Sequence, residues 1–343
     1  MTHVPPQPAI ALPPSITFDS IRLETKPTAS IECSQVQATG GPRYSDTIVV
    51  FLNGLIAPQS FWLPVMSMML RHLELSTKGE SIDEPSQPQL LAYDRYGQGR
   101  TIDRDPSDEG KEEGYGHNIL DAVYDLRQLI RQVIDPTLAT SKRIVFIANS
   151  IGCAIARLYA QHLPGSVAGM LFLDSMMANT DFVSIFPDPD SPGFDPGSLP
   201  RGVTSEMLYE TRRKFRDAFH PSVKNAEGLD RRDLATLLPY ADKPGLQSGS
   251  KSPFVTVVGH DPELFARESL EGSMKTPLVI SDNYTNPTWH KYNQGLTEIT
   301  DADKSSGPII AENCGHFVQR DNPMLVADLA CQLLARVTGN TDW

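Results

Sequence analysis

The chain has 343 residues, with 42 acidic against 30 basic side chains and a formal net charge of −12. Hydrophobic residues at 40% and charged residues at 21% are ordinary globular values, which exclude collagen-like, coiled-coil and wholly disordered chains. The acidic balance argues against a nucleic-acid binder and against a polybasic membrane anchor, since both need clustered Lys and Arg.

The first 14 residues read as a flexible, proline-rich arm with neither a basic nor an apolar leader segment, so no signal peptide is expected. No run of about 18 apolar residues occurs, so no membrane span is expected, and the expected location is cytoplasmic. Cys33, Cys153, Cys314 and Cys331 have no metal-ligand spacing and read as structural thiols.

Residues 16–23 and 29–37 then read as two antiparallel strands. The run Thr47–Leu52 is β-branched and apolar throughout, as a strand buried on both faces requires. A helix is expected over 61–73, a buried strand over 90–93, and an amphipathic helix over 118–133, with Ile119, Val123, Leu126, Ile130 and Val133 on one face. A strand over 143–148 leads into a helix over 152–162, and the sixth strand follows at 169–173. Short apolar strands alternating with helices indicate a mostly parallel sheet covered on both faces. From Met176 to Ser252 the pattern breaks into proline- and charge-rich sequence, with a helical piece at 206–219. Strand and helix return at 254–258, 308–311 and 323–337. One α/β domain (15–175 and 253–343) with an inserted cap (176–252) accounts for this order.

The chemistry centres on Ile147-Ala148-Asn149-Ser150-Ile151-Gly152, where a strand runs directly into a helix through a serine flanked by small residues. A nucleophile there is lifted above the sheet on a strained turn, and small neighbours at Ala148 and Gly152 prevent clashes. The Ile151 amide, at the helix N-terminus, can serve a developing oxyanion. The bland alternative is a serine that merely caps a helix.

With these residues the chain resembles the α/β-hydrolase superfamily, in its serine-nucleophile, cap-bearing branch, over about residues 15–338. Leu52-Asn53-Gly54-Leu55 stands where the family has His-Gly, and the resemblance implies a second oxyanion donor in the Leu55 amide. Asn53 departs from the family histidine, but the donor is backbone. Tyr93-Asp94-Arg95-Tyr96-Gly97-Gln98-Gly99-Arg100-Thr101 is similar to a family loop. Within it Asp94 and Arg95 read as a buried pair, and no third glycine supports a nucleotide site. Cys314-Gly315-His316-Phe317 with Asp321-Asn322-Pro323 resembles the late segment that carries the catalytic histidine, implying His316 as general base. The other histidines read as structural: His117 as a helix cap, His72 and His162 near helix ends, His220 and His290 in loops.

Two carboxylates qualify as the acid. Asp174 ends the sixth strand. Asp261 follows the seventh, where most relatives carry it, but lies only two residues past Gly259 and is followed by Pro262, which restricts its backbone. The segment Trp289–Leu296 resembles relatives that use the sixth-strand acid, so Asp174 is preferred, with Asp261 as the alternative.

Relatives acting on epoxides and haloalkanes have an aspartate at the elbow; a serine there implies acyl transfer instead. The expected function is hydrolysis of an ester, lactone or thioester of a hydrophobic small molecule, with Asn53, Gly54, Met176 and Met177 in the substrate pocket. The alternatives are an acyltransferase or cyclase on the same scaffold, or a small-molecule receptor. The proline-rich style resembles hydrolases of fungal secondary metabolism. No cofactor or metal is expected, and the protein is expected as a monomer or homodimer.

Overall fold

Period-two alternation decides which face of the sheet each strand residue covers. In Thr47–Leu52 (β3), Ile48, Val50 and Leu52 join one apolar cluster and Val49 and Phe51 the other, and all six residues are buried. In Arg143–Ser150 (β5), Ile144, Phe146 and Ala148 face the first cluster, Val145 and Ile147 the second. Each Val, Leu, Ile or Phe side chain so removed from water contributes about 1.5–3 kcal/mol, which is why continuous apolar runs settle in the middle of the sheet.

The structure is a computed structural model and describes residues 13, 15–39, 43–55, 57–77, 86–134, 143–246 and 251–339. All but one residue of the expected N-terminal arm lies outside them. The remaining strands are Thr17–Leu23 (β1), Lys26–Val36 (β2), Gln89–Tyr93 (β4), Val167–Ser175 (β6), Phe254–Gly259 (β7) and Ser305–Ile310 (β8), in the spatial order β1-β2-β4-β3-β5-β6-β7-β8. β2 is antiparallel to β1 and β4, and every other neighbouring pair is parallel.

Helices Leu63–Thr77 (α1), Ile119–Val133 (α2), Ile151–His162 (α3), Ser205–Phe219 (α4), Pro262–Glu271 (α5), Asn286–Leu296 (α6) and Pro323–Thr338 (α7) follow the same logic. α2 and α3 cover the face of the first cluster, and α1 and α7 the other. α2 begins where its sequence places it: the Asn118 side chain accepts from the amides of Leu120 and Asp121, and the Asp121 carboxylate accepts from the Asn118 amide. α7 opens on Pro323 and stops at Gly339, whose φ of 72° favours glycine.

Between β6 and β7 the chain makes a long excursion holding α4 and a short turn of helix at Leu234–Leu237. Its Phe182, Phe186, Leu208, Phe215, Leu229 and Leu234 pack into the same cluster as the sheet and α3. Within the excursion Phe186 also packs edge-on against Phe215, and Phe182 lies tilted against Phe219. The buried Arg157 of α3 donates to the carbonyls of Tyr240 and Lys243.

Candidate active site

Ser150 ends β5 and precedes α3 with φ 56° and ψ −122°. A positive φ strains any residue with a Cβ by about 1–3 kcal/mol, so close packing must hold the turn. It does so at two glycines. A Cβ on Gly152 would lie 2.5 Å from the Leu52 carbonyl oxygen, and one on Gly54 would lie 3.2 Å from the Ser150 Cβ. The turn after β3 therefore presses directly against the serine.

The residue before the serine ties together the rest of the site. The fully buried Asn149 donates from Nδ2 to the carbonyls of Leu173 and His316, both at 2.9 Å, and its Oδ1 accepts from Gln319. The end of β6 and the loop carrying His316 are thereby hung from the same side chain that precedes Ser150.

Asp174, with φ 43° and no exposed surface, meets His316 there: Oδ2 lies 2.6 Å from Nδ1 of His316. Its other oxygen, Oδ1, lies 2.8 Å from Nδ1 of His260 and accepts from the His260 backbone amide at 3.2 Å. Burial alone would raise this carboxyl, but the charges and hydrogen bonds of His260 and then His316 outweigh it and hold it down to about 2. For His260, burial favours the neutral ring, and the adjacent Asp174 carboxylate overrides it and raises the pKa above the ordinary value. The imidazole of His260 stacks on Phe265 at 4.2 Å between centroids. Trp289 donates from Nε1 to the Ser175 carbonyl at 2.7 Å, and its ring packs edge-on against both histidines.

Asp261 is engaged differently. Its Oδ1 caps α5 by accepting from the amides of Glu263 and Leu264, and Oδ2 accepts from the Asn313 amide. The Asn313 bond, ahead of the others, holds this carboxyl below the usual range. Its hydrogen bonds in the structure go to backbone amides, and Asp174 is the carboxylate on His316.

Leu55 follows Gly54 in the turn after β3 that packs on Ser150, and Ile151 is the first residue of α3. Asn53, expected in the substrate pocket, has its carboxamide committed inside the protein. Nδ2 donates to the Tyr93 carbonyl and to Gln98, and Oδ1 accepts from Trp62 at 2.6 Å. Met177 has no exposed surface and packs in the first cluster, beside the nearly buried Met176. Asn149 and His260 shape this geometry without having been assigned a role from the sequence, and Trp289, read there only as the start of the Trp289–Leu296 segment, packs on both histidines. His260 hides beside the conspicuous Asp261.

Two neighbouring features stand apart from this geometry. Asp105, Asp108 and His117 bring potential ligand atoms within 4.8 Å of one another, but Lys26 already sits 2.6 Å from Asp105 and from Asp125. His117 there pairs with Asp108 at 3.2 Å, leaving the α2 cap to Asn118. A cleft of about 310 Å³ touches His260, Asn286 and His290, but its lining includes neither Ser150 nor His316.

A sequence model of the alpha/beta hydrolase family matches residues 49–329. No curated protein sequence matches the chain. Among solved structures, a laboratory-evolved variant of potato epoxide hydrolase is similar with a TM-score of 0.55 at 12% identity, covering 94% of this chain and 99% of that one. A protein of Acinetobacter baumannii described as a candidate lipase has a TM-score of 0.50 at 16% identity, covering 95% and 93%. A haloalkane dehalogenase of Bradyrhizobium elkani has a TM-score of 0.50 at 16% identity, covering 94% and 99%. At these identities the likeness speaks for the fold alone. With the family match spanning most of its length, the chain belongs to the alpha/beta hydrolase family.

Proposed function

We propose that this protein is a serine hydrolase that cleaves an ester, lactone or thioester of a hydrophobic small molecule through an acyl-enzyme. The observation that carries the reading is the 2.6 Å contact of Asp174 with His316, in a loop tied by Asn149 to the positive-φ turn of Ser150. Neighbours named as an epoxide hydrolase and a haloalkane dehalogenase share the fold, but a serine at the elbow favours acyl transfer over alkyl transfer.

In this reading the Ser150 hydroxyl attacks the substrate carbonyl while Nε2 of His316 takes its proton. An ionised carboxylate can only accept, so Asp174 keeps the other proton of His316 on Nδ1 and leaves Nε2 free as the base. The developing oxyanion is held by the amides of Leu55 and Ile151, which spend no energy on reorganisation during the step. His316 then protonates the leaving alcohol or thiol, and a water deprotonated by the same Nε2 releases the acid from Ser150. The excursion between β6 and β7 acts as the cap that selects the substrate.

The test is a panel of p-nitrophenyl esters, lactones and acyl thioesters assayed with the wild type and with Ser150→Ala. Turnover of at least one class that vanishes in the variant supports the reading. Turnover that survives the substitution contradicts it.

A further inference from the structure

Resting on the serine-hydrolase reading, we propose that Glu227, in the excursion between β6 and β7, is a positioning residue for the oxyanion hole. Its carboxylate holds Arg95 and Gln98 on the Gly54 carbonyl and thereby sets the direction of the Leu55 N–H.

Arg95 was expected to pair with its neighbour Asp94. Asp94 instead accepts from the amides of Gln59 and Arg100 and from the side chains of Gln59 and Asn53. The guanidinium goes to Glu227, 132 residues away, with Nε 2.8 Å from Oε2 and Nη2 3.1 Å from Oε1. Neither partner is open to water: the Arg95 side chain is 6% exposed and that of Glu227 0%.

The remaining donors of Arg95 converge on the turn after β3. Nη1 donates to the Asn53 carbonyl and Nη2 to the Gly54 carbonyl, both at 3.0 Å. Gln98 Nε2 donates to the same Gly54 oxygen at 2.8 Å and to Oε1 of Glu227 at 3.0 Å. Gly54 C=O and Leu55 N–H belong to one planar trans peptide, so they point in opposite directions. Anchoring the oxygen from two sides therefore fixes the N–H on the other edge, and a charge-assisted donor on the oxygen also polarises that N–H. Gly97 permits the arrangement. With φ 72°, its missing Cβ would meet the Ala226 carbonyl at 2.9 Å and the Glu227 Cα at 3.2 Å.

A buried ion pair contributes little to stability compared with an apolar pair of the same volume. What this pair supplies is direction, and it supplies it from a segment remote in sequence. The consequence is a coupling: the oxyanion donor is aligned when residues 226–227 of the excursion are seated, and loosens when they lift.

Glu227→Gln keeps the shape and removes the charge. On p-nitrophenyl butyrate, or another ester of the panel that the wild type turns over, kcat should fall about 10- to 100-fold with KM within about threefold. That is part of the roughly 10²–10³ that a whole oxyanion donor contributes. Affinity for an alkyl trifluoromethyl ketone, which forms an oxyanion on the serine, should fall by a similar factor, while inhibition by the matching methyl ketone stays unchanged. A merely structural role would not separate the two ketones. Gln98→Met leaves the ion pair whole and removes one donor from Gly54. It should produce the same split at about 3- to 10-fold, and it decides the matter if the first variant does not fold. Folded variants with wild-type kcat and unchanged trifluoromethyl ketone affinity overturn the proposal while leaving the serine-hydrolase reading intact. A wild type without esterase activity or serine labelling overturns both.

Discussion

Oδ1 of Asp174 lies 2.8 Å from Nδ1 of His260, on the opposite side of the same carboxylate that holds His316. The second nitrogen of His260, Nε2, is 3.3 Å from Oδ1 of Asn286. Asn286 cannot turn its amide around without losing the 2.9 Å bond from its Nδ2 to the Pro262 carbonyl. His260 therefore faces an acceptor at each ring nitrogen, which suits a doubly protonated imidazolium. One buried carboxylate is then shared between two imidazoles, which places the electrostatics of the site as much on His260 as on His316.

The first prediction follows from that pairing. The pKa of His260 is raised in the folded protein, so the stability it contributes is complete below its ordinary value of about 6.5 and is lost as pH rises through the raised value. Denaturant unfolding of the wild type and of His260→Asn should show a gap that is larger at pH 6 than at pH 9.5. A gap that stays constant or widens toward alkaline pH contradicts the imidazolium.

The two aspartates should separate cleanly. Asp174→Asn should lower kcat by about 10³- to 10⁴-fold, because an amide neither fixes the tautomer of His316 nor stabilises its cation. Asp261→Ala removes a helix cap and should cost about 0.5–2 kcal/mol of stability, with kcat within tenfold of the wild type. Kinetics and urea melts of both proteins decide it, and the reverse ranking in kcat moves the acid to the strand β7 side.

Gly152→Ala tests the packing of the elbow. The added methyl would lie 2.5 Å from the Leu52 carbonyl oxygen, so backbone must move, at about 1–3 kcal/mol. A lowered melting temperature together with reduced ester turnover is expected. A variant as stable and active as the wild type would mean that β3 and α3 are not in contact there.

The sheet was legible because its strands β3 and β5 are buried on both faces, so their sequences are apolar without interruption. α2 was legible because its apolar residues recur at three and four and its cap is a local signal. α6 was not. Its Trp289, Tyr292 and Leu296 have helical spacing, but they stand among Asn, Pro, His and Lys, and the helix grows out of a π turn at Ser281–Thr285. His290 consequently lies on a helix and not in the expected loop. The strained turn at Ser150 could be read from its small neighbours because that geometry is made by adjacent residues. The partner of Arg95 could not, since Glu227 enters from a segment with no local pattern that announces it. Nor could the hub role of Asn149, whose acceptors lie at Leu173 and His316.

The most direct measurement of the central claim is covalent. The wild-type protein is incubated with a fluorophosphonate, digested, and the phosphonylated peptide is identified by mass spectrometry, alongside Ser150→Ala and Asp174→Asn. The account predicts one modification, on Ser150, absent from the first variant and formed far more slowly in the second. A probe bound to another residue, or labelling of Ser150 that proceeds at the same rate without the Asp174 carboxylate, would contradict it.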